Sequence, residues 1–264
     1  MNKKAIVVKI GGSTLGANDT TTEDLAKLQN EGFKLVVVHG GAKTVNDWLT
    51  RLKIPTTFVK GLRVTDLESL KVVTAVLAGL VNKEIVSEIW KASGKAIGIS
   101  GVDGHILKAR NLDPELGYTG QELFIDINLI ATLLDNGYLP VIAPICLNSD
   151  ININSGSNLI NVNGDTVAAE IAAVIEAEKL IFLTDVPGLY DSSNKLINFI
   201  DSNEANELII NGVISGGMVV KIGACIDALS KVAITRIIDG RVPHALMKEV
   251  TGKGNGTTIT SNKK

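Results

Sequence analysis

Two lysines in glycine-rich surroundings lie near opposite ends of this 264-residue chain, and they carry its strongest chemical signal. Lys9 ends an apolar run and is followed by Gly11 and Gly12, while Lys221 comes shortly after a pair of glycines. Glycine lets backbone N–H groups come close to an anion, and lysine adds a compact positive charge. Together these parts predict a phosphoryl-transfer site assembled from both ends of the chain.

Further polar and glycine residues between the two lysines add to this signal. Gly40 and Gly41 follow a second apolar run and repeat the strand-then-glycine arrangement of the first. Arg63 precedes a predicted helix, where a guanidinium can fork onto a carboxylate, although a surface salt bridge is the simpler explanation. Asn161 and Asp165 also precede a helix, where capping alone would account for them. No single motif is decisive, and the prediction depends on their combination and order.

Composition excludes several other kinds of protein. A net charge of −2 with no basic block argues against a nucleic-acid partner. No apolar run approaches the roughly 20 residues of a membrane helix, and the first residues lack a signal-peptide pattern, so we expect a cytoplasmic protein without a membrane partner. Cys146 and Cys225 are isolated, which predicts buried reduced thiols. Three histidines without HExxH or similar spacing argue against a structural zinc site, and no metal-ligating residue is assigned.

The common nucleotide-binding motifs are missing. The chain has no GxxxxGK[ST] loop, no HRD or DFG element, and no GxGxxG in its first strand–helix turn. A P-loop enzyme, a protein kinase and a dinucleotide-binding domain are therefore not indicated.

Apolar β-branched runs alternate with helical patterns along most of the chain. This order predicts an α/β fold with a mostly parallel sheet covered on both faces. Capping boxes are predicted at residues 20–23, 65–68 and 201–204, and the second of them opens a long helix that ends at Gly94. We expect a hairpin within residues 103–120, a polar loop or hairpin at 148–158, and an edge strand at 257–260. Ligands of parallel sheets bind beyond the carboxyl ends of the strands, where Lys9, Gly40, Thr184 and Asp185 fall.

The ordered set of motifs resembles the amino-acid kinase family and, within it, the acetylglutamate kinases. The segments that carry the resemblance are residues 8–12, 37–41, 61–65, 78–83, 98–104, 137–141, 161–165, 183–188 and 217–221. The segments at 61–65 and 78–83 separate the chain from carbamate, aspartate and UMP kinases. The resemblance implies a three-layer αβα sandwich with a mostly parallel open central sheet. It also implies an N-terminal lobe at 1–170 for acetylglutamate binding and dimerisation, and a C-terminal lobe at 171–264 for ATP, sharing one sheet.

The activity that the resemblance implies is ATP-dependent phosphorylation of the side-chain carboxylate of N-acetyl-L-glutamate in arginine biosynthesis, with ATP and Mg²⁺ as cofactors. Lys9 and Lys221 would stabilise charge on the transferred group, and Asp165 would hold both lysines. The substrate-binding residues implied are Gly41, Ala42, Arg63 and Asn161. Those implied for phosphate and ATP are Gly11, Gly12, Gly40, Thr184, Asp185, Val186, Gly188, Leu189, Val213, Ile214 and Ser215.

The chain departs from the family pattern at a few positions. Ala42 stands where a third glycine is usual, and Gly164 where alanine is common. Family members that respond to arginine carry an extra N-terminal helix that joins dimers into hexamers, whereas the first strand here is predicted to begin near Ala5, so the resemblance implies a homodimer that arginine does not strongly inhibit. The segment from His244 to Thr257 is similar to the family's arginine-site signature but is one residue short, and we interpret it as a remnant or scaffold. The long helix would form the dimer through Leu70, Val73 and Leu77, unless these residues face the subunit's own sheet.

Two alternatives remain open at this stage. A kinase of lysine biosynthesis would act on aminoadipate or glutamate linked to a small acidic carrier protein, and would show a basic surface around the acyl site. A non-catalytic amino-acid or nucleotide sensor would lack Lys9, Lys221 or Asp165, all of which are present.

Overall fold

The computed structural model describes residues 4–12, 19–111, 113–150 and 156–261. The strands are β1 Ile6–Ile10, β2 Leu35–His39, β3 Thr57–Val59, β4 Leu62–Val64, β5 Ala96–Ser100, β6 Leu107–Arg110, β7 Thr119–Gly120, β8 Glu122–Ile125, β9 Leu139–Ala143, β10 Ile145–Asn148, β11 Leu159–Val162, β12 Lys179–Thr184, β13 Leu189–Tyr190, β14 Leu196–Ile197, β15 Phe199–Asp201, β16 Thr235–Asp239 and β17 Thr257–Thr260. The helices are α1 Thr21–Asn30, α2 Ala42–Arg51, α3 Leu67–Thr74, α4 Asn82–Lys91, α5 Asn128–Asp135, α6 Gly164–Val174, α7 Ser202–Ile210, α8 Gly217–Ala228 and α9 Ala245–Val250.

A mostly parallel sheet forms the middle layer. Its order is β15-β17-β16-β12-β1-β2-β9-β5, and among the described pairs only β16 and β17 run antiparallel. Alternate residues of the strands enter different cores: Val7 and Val36 pack with α6 and α8, whereas Ile6 and Val37 pack with α1, α2 and the α3–α4 region. Two helical layers thus cover the two faces, which confirms the three-layer α/β fold.

Strands from both halves of the chain share this sheet. β1, β2, β5 and β9 come from residues before 170, while β12, β15, β16 and β17 come from residues after it. The sequence prediction of an edge strand at Thr257–Thr260 is wrong, because β15 pairs in parallel with β17 and covers its outer side. The division into two functional lobes stays a prediction.

A second sheet, ordered β7-β11-β10-β6-β8, lies above the carboxyl ends of the main strands. The predicted hairpin within residues 103–120 is wrong: β6 pairs with β8, and β7 pairs with β11. A one-turn helix at Pro114–Leu116 separates β6 from β7 and carries the chain to another strand. Residues 148–158 join the antiparallel pair β10 and β11, as one of the two sequence alternatives proposed, and 151–155 lie outside the described residues.

The predicted capping boxes have different outcomes. The box at 201–204 is confirmed, since Asp201 accepts from the N–H of Glu204 and Glu204 returns the bond. The box at 20–23 is wrong, because the hydroxyl of Thr20 accepts from the backbone of His244. At 65–68 the cap is Asp66, one residue later than predicted, because the hydroxyl of Thr65 lies inside the protein and bonds to Thr119.

The long helix has an irregular middle. α3 continues through a π-helical segment at Ala75–Val81 into α4, a feature that the apolar pattern did not predict. Leu70, Val73 and Leu77 are 2%, 1% and 6% exposed within this subunit. The prediction that they form a dimer surface is therefore wrong, because the same apolar spacing packs the helix on its own core. No helix in the described ranges combines the length and apolar character that crossing a membrane requires.

Candidate active site

Three charged side chains meet above the centre of the main sheet. Lys9 Nζ lies 2.7 Å from one carboxylate oxygen of Asp165, and Lys221 Nζ lies 2.9 Å from the other. Lys9 belongs to the central strand β1, Asp165 to the first turn of α6, and Lys221 to α8. Side chains more than 200 residues apart in sequence are therefore joined by one carboxylate, as the sequence predicted.

Burial and mutual charge set the protonation of this triad. Burial lowers the pKa of Lys9, and Lys221 adds to this effect, while Asp165 opposes it. Burial disfavours ionisation of Asp165, but the two ammonium groups outweigh it and hold the pKa of this carboxyl below its usual range. The Asp165 carboxylate also favours the start of α6, where the helix dipole attracts negative charge. Two lysines and one carboxylate give these buried groups a formal charge of +1 when all three are ionised.

The two glycine turns touch each other beside this triad. A Cβ on Gly12 would lie 2.9 Å from the Cα of Gly41 and 3.2 Å from the nitrogen of Ala42, so only glycine permits this approach. Ala42 begins α2, whose amino end favours an anion. The backbone N–H groups of Gly12, Gly41 and Ala42 donate to no acceptor among the described residues. The arrangement provides N–H donors for phosphate oxygens.

Gly11 and Gly40 use their N–H groups within the protein, and their assignment to phosphate and ATP stays a prediction. The N–H of Gly11 donates to the carbonyl of Leu183, and that of Gly40 donates to the carbonyl of Ile10. These bonds extend the sheet to the start of each glycine turn. A Cβ on Gly40 would lie 3.6 Å from the ammonium of Lys9, so this backbone lines the lysine closely. Both glycines thus shape the site, although their N–H groups are already used.

Arg63 is held by a two-strand hairpin over the site. β3 and β4 are joined by Lys60 and Gly61, both with positive φ (49° and 81°), the geometry of a tight hairpin turn. The Arg63 guanidinium lies 4.8 Å from the Phe58 ring across the hairpin, and its Nη2 donates to Asn46 at 2.7 Å. Its Nη1 is buried without a partner among the described residues. A buried unpaired donor of this kind is suited to a ligand carboxylate.

A cavity of about 240 Å³ connects all of these groups. Its polar lining comes from Lys9, Arg63, Asn161 and Asp165, and the backbone of Gly12, Gly41 and Ala42 forms one wall. Asn161 lies on β11 and is 8% exposed. Every residue assigned from the sequence to catalysis or substrate binding lines this cavity, except Lys221. Lys221 does not line the cavity but forms an ion pair with Asp165, which does.

The residues assigned to the nucleotide form a separate group at the end of β12 and in the turn before α8. Thr184 is buried, and its hydroxyl bonds to the backbone of Val186, which shapes the turn after the strand. Leu189 and Ile214 are both buried in the apolar core that contains α6 and α8. Asp185, Val213 and Ser215 are exposed. An ATP site at these residues, with Gly188 between them, stays a prediction.

Sequence reasoning missed the residues that support the site. Asn46 and Phe58 orient Arg63. The sequence signal for the hairpin that pairs Phe58 with Arg63 was Gly61, a residue type suited to the positive φ of its turn. His39 and Asn82 lie beneath the Gly40 turn and were not assigned a role. The partner of His39 lies on a distant helix, which no local sequence signal indicates.

The described residues contain no cluster of three or more acidic, histidine or cysteine side chains suited to a metal. Both oxygens of Asp165 are occupied by lysines. Mg²⁺ keeps water and substrate phosphate ligands in many enzyme sites, and Mg²⁺ bound to the nucleotide stays a prediction here.

Residues 4–239 match the model of the amino acid kinase family, and the chain belongs to this family. The relatives it resembles include the acetylglutamate kinase of Dehalococcoides mccartyi, 44% identical over 254 residues that cover 96% of this chain and 93% of the relative. The acetylglutamate kinase of Campylobacter fetus is 41% identical over 259 residues, covering 96% and 90%.

Solved structures share the fold. The smu.665 protein of Streptococcus mutans superimposes with a TM-score of 0.83 at 26% identity, over 98% of this chain and 99% of the other. The N-acetylglutamate synthase of Neisseria gonorrhoeae, complexed with coenzyme A and N-acetyl-glutamate, gives 0.84 at 24% identity, over 99% of this chain and 60% of the synthase. At that identity the synthase supports the fold alone.

Proposed function

We propose that this protein transfers the γ-phosphoryl group of ATP to the side-chain carboxylate of N-acetyl-L-glutamate, as its acetylglutamate kinase relatives are named for doing. The observation that carries the proposal is the cavity lined by Lys9, Asp165 and the buried, half-unpaired Arg63, with Lys221 bound to the second oxygen of Asp165. Such a site can hold one anion on the arginine and a second anion on the lysines. N-acetyl-L-glutamate and MgATP supply these two anions.

The chemistry needs no catalytic base. A glutamate side chain titrates at about 4.3, so the attacking carboxylate is already ionised at neutral pH. One of its oxygens bonds to the γ-phosphorus while the bond to the bridging oxygen breaks, which releases ADP and an acyl phosphate without any proton transfer. Catalysis then depends on aligning two anions that repel each other and on neutralising the charge between them.

The residues divide this work between them. Arg63 and Asn161 bind the acetylglutamate. The unpaired Nη1 of Arg63 is a donor for the carboxylate that does not attack the phosphorus. The N–H groups of Gly12 and Gly41 and the ammonium groups of Lys9 and Lys221 stabilise the transferred group. Donors fixed in advance in a dry site are worth more than the same donors in water.

The metal, the assembly and the cellular location belong to the same proposal. Mg²⁺ bound to ATP, a homodimeric assembly and a cytoplasmic location stay predictions. A role in arginine biosynthesis follows from the proposed reaction. The carrier-linked alternative of lysine biosynthesis gains no support, because the cavity is small and the relatives are named for the free substrate.

Release of ADP from MgATP, measured with N-acetyl-L-glutamate and separately with a carrier-linked glutamate, tests the proposal. We expect turnover only with the free substrate. Arg63→Ala should raise the KM for acetylglutamate about tenfold to hundredfold and the KM for ATP much less, since a charged hydrogen bond contributes about 1.5–3 kcal/mol. Arg51→Ala removes another arginine stacked on a ring, outside the cavity, and serves as control. Turnover only with the carrier-linked substrate would reject the proposal.

A further inference from the structure

A chain of hydrogen bonds runs beneath the turn that begins at Gly40. Lys83 Nζ donates to the side-chain oxygen of Asn82 at 3.0 Å, and the amide nitrogen of Asn82 lies 3.2 Å from His39 Nε2. His39 Nδ1 lies 2.8 Å from the carbonyl oxygen of Gly40. Both His39 and Asn82 are 0% exposed. Neither side chain reaches the cavity, so any effect on the reaction passes through the backbone.

The chemistry of the partners fixes the direction of each bond. An ammonium only donates, so the group that faces Lys83 is the amide oxygen of Asn82. The amide nitrogen of Asn82 also faces the carbonyls of Val141 at 2.9 Å and Ile99 at 3.3 Å, which only accept. His39 Nε2 therefore meets a donor and must accept. Its Nδ1 meets a carbonyl and must donate, so both ends of the ring require the same neutral tautomer.

This tautomer determines where the next peptide points. The structure has no cis peptide among its described residues, so the Gly40 carbonyl and the Gly41 N–H point in opposite directions. His39 binds the carbonyl from below. The N–H of Gly41 then faces away from His39. Gly12 packs against the same peptide, since a Cβ on Gly12 would be 3.0 Å from the Gly41 nitrogen, and both glycines line the cavity.

We propose that His39 and Asn82 are positioning residues: Asn82 holds His39 as the Nδ1–H tautomer, and His39 fixes the Gly40 carbonyl so that the Gly41 N–H is aimed at the transferred phosphoryl group. The π-helical segment brings Asn82 to this turn. Its residues Leu77 and Val81 pack against Gly41, and Asn82 follows Val81 directly. The catalytic part of this inference rests on the proposed function, whereas the hydrogen-bond arrangement does not.

The charge state of His39 agrees with the geometry. Burial lowers the pKa of His39 to about 4, and the nearby charges of Lys9 and Lys83 act in the same direction, while the bond to Gly40 opposes them. The ring is therefore neutral near physiological pH, and a neutral ring has one donor and one acceptor. A protonated ring would place a second donor against the amide nitrogen of Asn82.

The tautomer can be measured without any substitution. Nitrogen NMR of protein labelled at its three histidines distinguishes the ring nitrogens, and His39 should show a neutral Nδ1–H ring between about pH 6 and about pH 8. An Nε2–H ring or an imidazolium at His39 would overturn the proposal. This result does not depend on which substrate the protein uses, so it separates failure of the inference from failure of the proposed function.

Two variants of the same residue then test the catalytic part. The amide nitrogen of asparagine takes the place of Nδ1, so His39→Asn should keep the bond to Gly40 and hold kcat within about threefold. Glutamine places its amide near Nε2 and leaves the Gly40 carbonyl without its donor, so His39→Gln should lower kcat by at least about tenfold. This loss should be smaller than the loss of about 10²–10³ expected when a donor to the transferred group is itself deleted. His105→Asn, at an exposed position with φ of 58°, is the control.

Stability alone cannot produce this difference. Both variants remove the same buried ring, so both should lower the unfolding temperature by a similar amount. A kcat of His39→Gln equal to that of His39→Asn, or a change confined to KM, would contradict a positioning role. No turnover by the unmodified protein with N-acetyl-L-glutamate would instead reject the proposed function and leave the NMR result standing.

Discussion

At the scale of single residues, the site is defined by a shared counterion. Asp165 binds Lys9 with one oxygen and Lys221 with the other, at 2.7 and 2.9 Å. A carboxylate that pairs with two buried ammonium groups fixes their spacing but leaves one positive charge in excess. That excess is useful only when an anion approaches, which is what distinguishes this triad from a structural ion pair.

Removing either ammonium group should affect the chemical step. We expect Lys9→Ala and Lys221→Ala each to lower kcat by about 10²–10³, with a smaller change in KM, because their charge matters most while the phosphoryl group is in transit. Steady-state kinetics with both substrates measure this. Lys91→Ala, which breaks a surface pair with Glu88, is the control. A change mainly in KM would mean that the lysines only bind the ground state.

The charge of Lys9 should depend on Asp165. Burial already lowers the pKa of Lys9 and Asp165 opposes this, so Asp165→Asn should lower the pKa further. Lysine is charged below its pKa, and kcat of the variant should therefore fall at a lower pH than that of the unmodified protein as pH rises. Asp135→Asn, which removes the exposed partner of Lys34, is the matched control. Identical alkaline limbs in the pH profiles would contradict this coupling.

At the scale of elements, two glycine turns from neighbouring parallel strands build the anion site. β1 and β2 pair in register from Ile6 with Leu35 to Ile10 with His39, so both turns begin at the same level of the sheet. The turns approach until Gly12 and Gly41 are in backbone contact. The hairpin with Arg63 closes over them, and a Cβ on Gly61 would lie 3.1 Å from Val220 of α8.

Filling the contact between the turns should damage the site. Gly12→Ala would bring a methyl group within 2.9 Å of the Gly41 backbone, which cannot rotate away as a side chain can. We expect kcat to fall by at least about tenfold, since the N–H donors of both turns move. Gly223→Ala, in α8 with nothing within 4 Å of the added methyl, is the control and should stabilise the protein by about 0.5–1 kcal/mol. Equal activities of the two variants would contradict the close-contact account.

The sequence predicted the elements better than their partners. Local signals placed the main strands, the Asp201 cap and the turns that carry Lys9 and Gly41, because glycine, apolar runs and capping residues act within a few positions. Pairing in the second sheet depends on contacts between distant segments, so the 103–120 hairpin was wrong. The same limit hid the π-helical segment and the bond between His39 and Asn82, which are 43 residues apart.

At the scale of the whole molecule, the long helix divides its apolar side chains between the core and the surface. The long helix buries Leu70, Val73 and Leu77 within the subunit. Leu80 and Trp90, on the same helical stretch, remain 39% and 73% exposed. Glu249, in α9, forms ion pairs with Lys179 at 3.0 Å and with Arg236 at 2.8 Å.

We expect a homodimer that arginine does not strongly inhibit, as the family resemblance implies. The pairing of Glu249 with Lys179 and Arg236, inside the segment similar to the arginine-site signature, agrees with the second expectation. Light scattering and activity assays with added arginine measure both properties. Leu80→Asp should shift the protein toward monomer, whereas Ile210→Asp, at a residue 82% exposed on α7, should not. A hexamer together with inhibition by arginine below about millimolar concentration would refute this expectation.

The central claim is that the carboxylate of N-acetyl-L-glutamate, and not water, accepts the γ-phosphoryl group in the two-lysine site. The most direct test uses N-acetyl-L-glutamate labelled with heavy oxygen in its side-chain carboxylate, with MgATP and hydroxylamine to trap the acyl phosphate. Mass spectrometry should find the N-acetylglutamyl hydroxamate, and the phosphate released with it should carry one labelled oxygen. Phosphate without label, and no hydroxamate, would show hydrolysis of ATP by water and contradict the account.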